Sequence, residues 1–157
     1  MTRKFFISAS VAIFMLCSCS SQEQTQEPEY HIPTVREFVE NNTYIDLPDY
    51  PRGINLFSTH TDEEQIYLNK LSAAHYRFYK HLKLENGYFK CDLKSGAEIN
   101  ISQYLFDKFY FNYVDDTNRW IDEVHARGNK ATVIEITEDY LESLLKGERY
   151  TSTGTQI

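Results

Sequence analysis

Residues 102–128 read SQYLFDKFYFNYVDDTNRWIDEVHARG, and this stretch decides most of the fold. Ser102 is a favourable helix N-cap, and Gly128 suits the position just after a helix C-terminus. Between them, apolar side chains recur every three or four residues, which predicts one long amphipathic helix ending at Arg127. The predicted inner stripe consists of Phe106, Tyr110, Tyr113, Thr117, Trp120 and Val124, widened by Leu105, Phe109 and Ile121.

Three more helices are predicted from their start signals. Thr34 and Thr61 are each followed three residues later by Glu, the spacing of a capping box. These boxes predict a short helix over 35–40 and a long one from 62 to about 83. Thr137 and Gly147 delimit a last short helix over 138–146.

The remaining regular structure is predicted to be β. Alternating apolar residues over 88–93 and 97–101, joined by a three-residue loop ending in Gly96, indicate a β-hairpin. A β-rich run follows at 131–136. We therefore predict an α+β, two-layer domain, in which a small, mainly antiparallel sheet including hairpin 88–101 packs against two long and two short helices.

The N-terminal segment has the pattern of a secretory leader. Two cations precede an apolar run over 5–16, which is shorter than the roughly 20 residues that a transmembrane helix needs. The sequence Leu16-Cys17-Ser18-Cys19 follows it. This leader resembles those of bacterial lipoproteins, whose lipobox ends in a small residue and then Cys.

The resemblance implies cleavage before Cys19 and attachment of fatty-acyl chains, such as palmitate, at that residue. Cys17 is a competing attachment site, although bulky Met15 and Leu16 precede it. Two or more acyl chains would anchor the protein stably, at about 0.8 kcal/mol per buried CH₂. Because Ser20 follows Cys19, the resemblance favours the outer membrane over the inner one. An ordinary signal that releases a soluble protein is the alternative.

This organisation divides the chain into a signal peptide over 1–18, a flexible acidic tether over 19–30, one α+β domain over 31–147 and a polar, frayed tail over 148–157. Removal of the leader leaves 139 residues with 14 cations and 23 acids, a net charge of −9. Such an acidic chain repels nucleic acid, so we expect no nucleic-acid partner.

The sequence contains no familiar catalytic motif, and its chemistry-bearing residues have simpler explanations. His75 lies on an apolar helical stripe and is predicted to be a core histidine. Cys91, between Phe89 and Leu93, is predicted to be a buried and inert thiol. His60, with the acids at 62–64, could bind a metal, but acids at a helix start are expected anyway. We therefore predict no catalytic residue, no metal and no cofactor.

The abundance of tyrosine, 12 residues in all, is the feature most typical of binding. Tyr44 and Tyr50 flank a proline-stiffened loop, and exposed tyrosines on rigid segments suit protein partners or sugars. The sequence favours a lipid-anchored, non-enzymatic module of the bacterial envelope that binds another protein, for example an inhibitor, immunity-type or accessory lipoprotein. A small envelope hydrolase or carbohydrate-binding module is the alternative.

Overall fold

The computed structural model describes residues 30–48, 60–147 and 154–157. The predicted signal peptide, residues 19–29 of the predicted tether, including Cys19, and the candidate contact residue Tyr50 lie outside the described residues. The chain divides into two units between Tyr30 and His31, and the folded domain is the unit that begins at His31.

The domain contains five α-helices and two small antiparallel sheets among its described residues. The helices are α1 (Val35–Glu40), α2 (Asp62–Tyr79), α3 (Gln103–Tyr110), α4 (Thr117–Ala126) and α5 (Glu138–Lys146), and the strands are β1 (Leu82–Glu85), β2 (Tyr88–Cys91), β3 (Thr132–Val133) and β4 (Thr155–Gln156). β1 pairs with β2, and β3 pairs with β4. The fold is thus a small α+β domain, as the sequence predicts. No described helix is long and apolar enough to cross a bilayer.

Local capping signals locate the starts of α1, α2 and α5 correctly. Thr34 and Thr61 each form a complete capping box with the Glu three residues later, and Thr137 caps α5. The predicted end of α2 near residue 83 is wrong, because the helix ends at Tyr79 and β1 begins at Leu82. The apolar residue Leu82 continues the helical stripe in sequence but belongs to a strand.

The predicted hairpin over 88–101 is wrong in its partner strand. β2 pairs instead with the preceding segment, so that Leu82 lies opposite Cys91 and Glu85 opposite Tyr88. The connecting residues Asn86 and Gly87 both have positive φ, +54° and +83°. Such a two-residue turn matches the twist of paired strands, and it closes a hairpin with a shorter loop than the predicted one.

The segment predicted as the second strand of that hairpin begins with a 3₁₀ helix over Gly96–Ile99. Glu98 fixes this turn, because its carboxylate accepts hydrogen bonds from the backbone N–H groups of Lys94 (2.7 Å) and Ser95 (2.9 Å). Ile101, which follows the turn, forms a parallel bridge with Ile45. The apolar alternation therefore reflects a tight turn and one bridge, where the sequence predicted a strand.

The long helix over 103–126 is continuous but contains a π-helical segment, Phe111–Asp116, between α3 and α4. The Thr117 hydroxyl donates to the carbonyl of Asn112, five residues earlier. Buried positions accordingly step by five residues from Phe109 to Val114. This wider step rotates α4, so that the predicted core residue Trp120 is 44% exposed and Ile121 is fully buried.

The predicted frayed tail is wrong for its last residues. Thr155 and Gln156 form β4 against Val133 and Thr132, and the backbones of Ala131 and Ile157 exchange two hydrogen bonds. The strand predicted over 131–136 is shorter than expected, because β3 covers only Thr132–Val133. Polar composition alone does not show that a segment lacks a pairing partner.

Arg77 is a buried cation that the sequence does not reveal. It lies on α2 and is 7% exposed, and its guanidinium donates to four backbone carbonyls. These are the carbonyls of Phe38 (2.6 Å), Thr43 (2.9 Å), Asn100 (3.2 Å) and Ile99 (3.3 Å). Arg77 thereby ties the end of α1 and the loop after it to the 3₁₀ turn.

Candidate functional site

The candidate contact residue Tyr44 is exposed, with 57% of its surface accessible. Its neighbour Ile45 is fully buried. The Ile45 N–H donates to the carbonyl of Asn100 (3.1 Å), and the Ile45 carbonyl accepts from the N–H of Ser102 (2.9 Å). The bridge therefore presents the Tyr44 ring on a fixed backbone. Because Tyr50 lies outside the described residues, the pairing of these two rings stays a prediction.

The residues considered for metal binding or nucleophilic chemistry are not brought together. His60 Nδ1 lies 3.9 Å from Glu64 Oε2, the spacing of neighbours one helical turn apart. Within the described ranges, no three His, Cys, Asp or Glu side chains are grouped so that they could hold a metal. Cys91 is half-buried beside the core, and burial raises the pKa of its thiol, which favours the unreactive protonated form.

His75 packs against the aromatic core, as the sequence predicts, and its surface is half-buried. Its ring stacks on Phe109 at 4.3 Å between centroids and on Tyr79 at 5.4 Å. The Tyr113 hydroxyl lies 3.1 Å from His75 Nε2, which gives that nitrogen a hydrogen-bond partner. Burial lowers the pKa of His75 to about 4, so the ring is neutral at pH 7.

Three tyrosine hydroxyls extend this contact into a network. The Tyr79 hydroxyl is hydrogen-bonded to those of Tyr113 and Tyr140, and Tyr113 in turn contacts His75. Burial raises the pKa of Tyr79, and its two tyrosine neighbours raise it further. Burial also raises the pKa of Tyr140. The Tyr79 and Tyr140 phenols therefore remain protonated at neutral pH, so they can hydrogen-bond to a ligand but cannot act as bases there.

The tyrosines form the wall of a cavity of about 330 Å³, which we call the tyrosine pocket. Six parts of the fold contribute to it: α2, the β1–β2 hairpin, the π segment, α4, the β3 region and α5. Its lining comprises Tyr79, Leu82, Phe89, Tyr113, Thr117, Trp120, Thr132, Val133, Ile134, Ile136 and Tyr140. Aromatic and aliphatic walls with a few hydroxyl groups are typical of ligand and side-chain binding sites.

The mouth of the pocket carries two large apolar residues in contact with solvent. Trp120 is 44% exposed and Ile134 is 50% exposed. Trp120 is the only tryptophan in the chain. A partner that covered both residues would remove apolar surface from water, which is favourable.

The π segment creates this arrangement together with Asn118. The Asn118 side chain accepts a hydrogen bond from the Phe89 N–H and donates one to the Phe89 carbonyl, both at 2.8 Å. This double contact attaches α4 to β2. Tyr113, Thr117 and Trp120 therefore line the pocket. The sequence pattern assigns all three to the core stripe. Segments of π-helix are often found at functional sites.

Stability should depend on pH through His75. In the unfolded chain His75 takes up a proton near pH 6.5, whereas the folded ring stays neutral to about pH 4. Protonation thus favours the unfolded state as the pH falls, and this contribution should lower the free energy of unfolding by about 2–3 kcal/mol between pH 7 and pH 4.

The measurement is urea unfolding at several pH values for the wild type and His75→Gln. The free energy of unfolding of the wild type should fall relative to that of His75→Gln as the pH falls from 6.5 to 4. The wild type should thus lose part of its advantage in stability or become the less stable protein. Parallel curves would show that His75 titrates alike in both states.

Compared with known proteins, the chain matches no family model, no curated protein and no solved structure.

Proposed function

We propose that this chain is a lipid-anchored protein of the bacterial envelope, most favourably of the outer membrane, whose folded domain binds another protein and catalyses no reaction. The observation that carries the binding function is the tyrosine pocket with exposed Trp120 and Ile134 at its mouth. Trp and Tyr are the side chains most enriched at the energetic centres of protein interfaces. The anchor rests on the lipobox-type leader and Cys19.

The chemistry of the pocket supports binding rather than catalysis. Its lining side chains are aliphatic, aromatic or hydroxylic, and none is a carboxylate, imidazole, amine or thiol. General acid–base catalysis requires a group that changes protonation near the working pH. The raised pKa of Tyr79 and of Tyr140 moves these hydroxyls away from that role. The hydrolase alternative therefore draws no support from this pocket.

Tyr44 is retained as a second candidate contact. Its ring is exposed and lies next to a buried anchor, Ile45, so that little side-chain entropy is lost on binding. Tyr50, predicted to act with Tyr44, is part of the same proposal.

The test is chemical cross-linking of envelopes, detergent extraction and identification of co-purified proteins by mass spectrometry. Trp120→Ala should reduce the yield of a specific partner at least about tenfold, the loss expected at an interface hot spot. Tyr44→Ala should reduce it if that loop belongs to the interface. Phe111→Ala is the matched control, because Phe111 is 51% exposed on the same long helix but outside the pocket. Equal loss with Phe111→Ala, or no specific partner in the wild type, would contradict the proposal.

A further inference from the structure

One side of the tyrosine pocket is acidic. Residues 130–146, which include lining residues Thr132 to Tyr140, contain four carboxylates and two lysines, Lys130 and Lys146, one at each end of the range. Glu135, Glu138 and Asp139 are exposed, whereas Glu142 is paired with Arg36 at 2.8 Å. On α4, the cation nearest to Trp120 is Arg119, and Asp116 already pairs with it. The segment that supplies this side of the pocket therefore carries a net negative charge, which attracts cations.

The interior of the pocket favours an uncharged ring. A charged group placed among its apolar side chains would lose hydration without gaining an ionic partner. The volume of about 330 Å³ lies near the lower limit, about 300 Å³, of sites that take drug-sized ligands. Aromatic rings also pack well against the Tyr113, Tyr140 and Trp120 rings in offset or edge-on geometry.

The exposed rim favours a protein over a small molecule. A small molecule that filled the cavity would leave much of Trp120 and Ile134 in water. A polypeptide that inserted one side chain would cover both rim residues with its neighbouring residues, as in interfaces where an anchor is surrounded by a water-excluding rim.

We propose that the tyrosine pocket binds an aromatic side chain of a partner protein, and that Lys or Arg residues flank this side chain and meet Glu135, Glu138 and Asp139. This inference rests on the proposed binding function and names the partner's recognition chemistry.

The test uses the purified full chain in a mild detergent and three blocked tripeptides: Lys-Phe-Lys, Glu-Phe-Glu and Lys-Ala-Lys. Binding is followed by Trp120 fluorescence and by NMR of the Val133, Ile134 and Ile136 methyl groups. Lys-Phe-Lys should bind with a Kd of about 1 mM, the affinity expected for one inserted side chain. Glu-Phe-Glu should bind about fivefold more weakly in low salt, and this difference should shrink in high salt. Lys-Ala-Lys should leave the methyl signals unchanged.

Two variants test the site without disturbing the core. Trp120→Ala should weaken Lys-Phe-Lys binding at least fivefold as seen by NMR, because Trp120 forms part of the pocket mouth. The triple variant Glu135→Gln, Glu138→Gln, Asp139→Asn should abolish the preference for Lys-Phe-Lys over Glu-Phe-Glu while the aromatic ring still binds. Phe111→Ala should change neither result.

Several outcomes would overturn the inference. Equal binding of Lys-Ala-Lys and Lys-Phe-Lys would exclude an aromatic anchor, and equal binding of Glu-Phe-Glu in low salt would exclude the basic flanks. Binding of free p-cresol as tightly as Lys-Phe-Lys would indicate a small-molecule site. If the tripeptides fail but envelope capture depends on Tyr44, the proposed function stands and the pocket is not the contact. If Lys-Phe-Lys binds but no envelope protein is captured, the proposed function fails instead.

Discussion

Replacement of Arg77 by Met is expected to lower the free energy of unfolding by about 3–5 kcal/mol. The guanidinium holds four backbone carbonyls from two chain segments, and it is almost completely buried. Methionine fills similar space but donates no hydrogen bond. The carbonyls would then lack their donor in a site with little access to water, and each buried unsatisfied group costs about 1–3 kcal/mol.

The measurement is chemical unfolding followed by circular dichroism, with two comparison variants. Arg77→Lys keeps the charge but cannot reach four acceptors with one ammonium group, so its loss should be intermediate. Arg127→Met is the exposed control, because Arg127 makes only a 3.7 Å surface pair with Glu123 and should change stability by at most about 0.5 kcal/mol. A loss below about 1 kcal/mol for Arg77→Met would mean that water satisfies these carbonyls equally well.

The Cys19→Ser variant is expected to move the protein from the membrane fraction to the soluble fraction. Serine lacks the thiol that would carry the acyl chains. With two or more chains, at about 0.8 kcal/mol per buried CH₂, the wild type should sediment almost completely.

Cys17→Ser is the matched control, because it changes the neighbouring cysteine and leaves the predicted attachment site intact. This variant should still sediment with membranes, and mass spectrometry should find acyl chains on residue 19. If Cys19→Ser sediments like the wild type after a high-salt wash while Cys17→Ser is released, acylation occurs at Cys17. If both variants sediment, the lipid anchor is not at this box.

The prediction of the site was less complete than that of the fold. The sequence indicated Tyr44, which is exposed, and correctly predicted that His75 packs against the core. It missed the pocket, although the high tyrosine content and the isoleucines of the 131–136 run were signals of it. The sequence predicts that Tyr113, Thr117 and Trp120 belong to the inner stripe of the long helix, since a helical stripe of aromatic residues is ordinarily buried. The π segment shifts the buried face of the helix, and Trp120 consequently lies towards solvent.

Long-range pairing was the other source of error. The Lys94–Gly96 loop and the Asn86-Gly87 turn both allow a hairpin, and only the packed domain selects the second. The final residues gave no β signal, yet they pair with β3. The partner of each strand depends on contacts with residues far away in the sequence. Local β-propensity carries no information about those contacts.

The sequence by itself determined the α+β class and the starts of the helices that Thr34, Thr61, Ser102 and Thr137 cap, because each cap is satisfied within four residues. The tertiary structure alone decided the hairpin partner, the burial of Arg77 and the assembly of the tyrosine pocket. Each of these joins residues that lie far apart in the chain, and its stability comes from removing their surfaces from water together, so no local pattern could specify it.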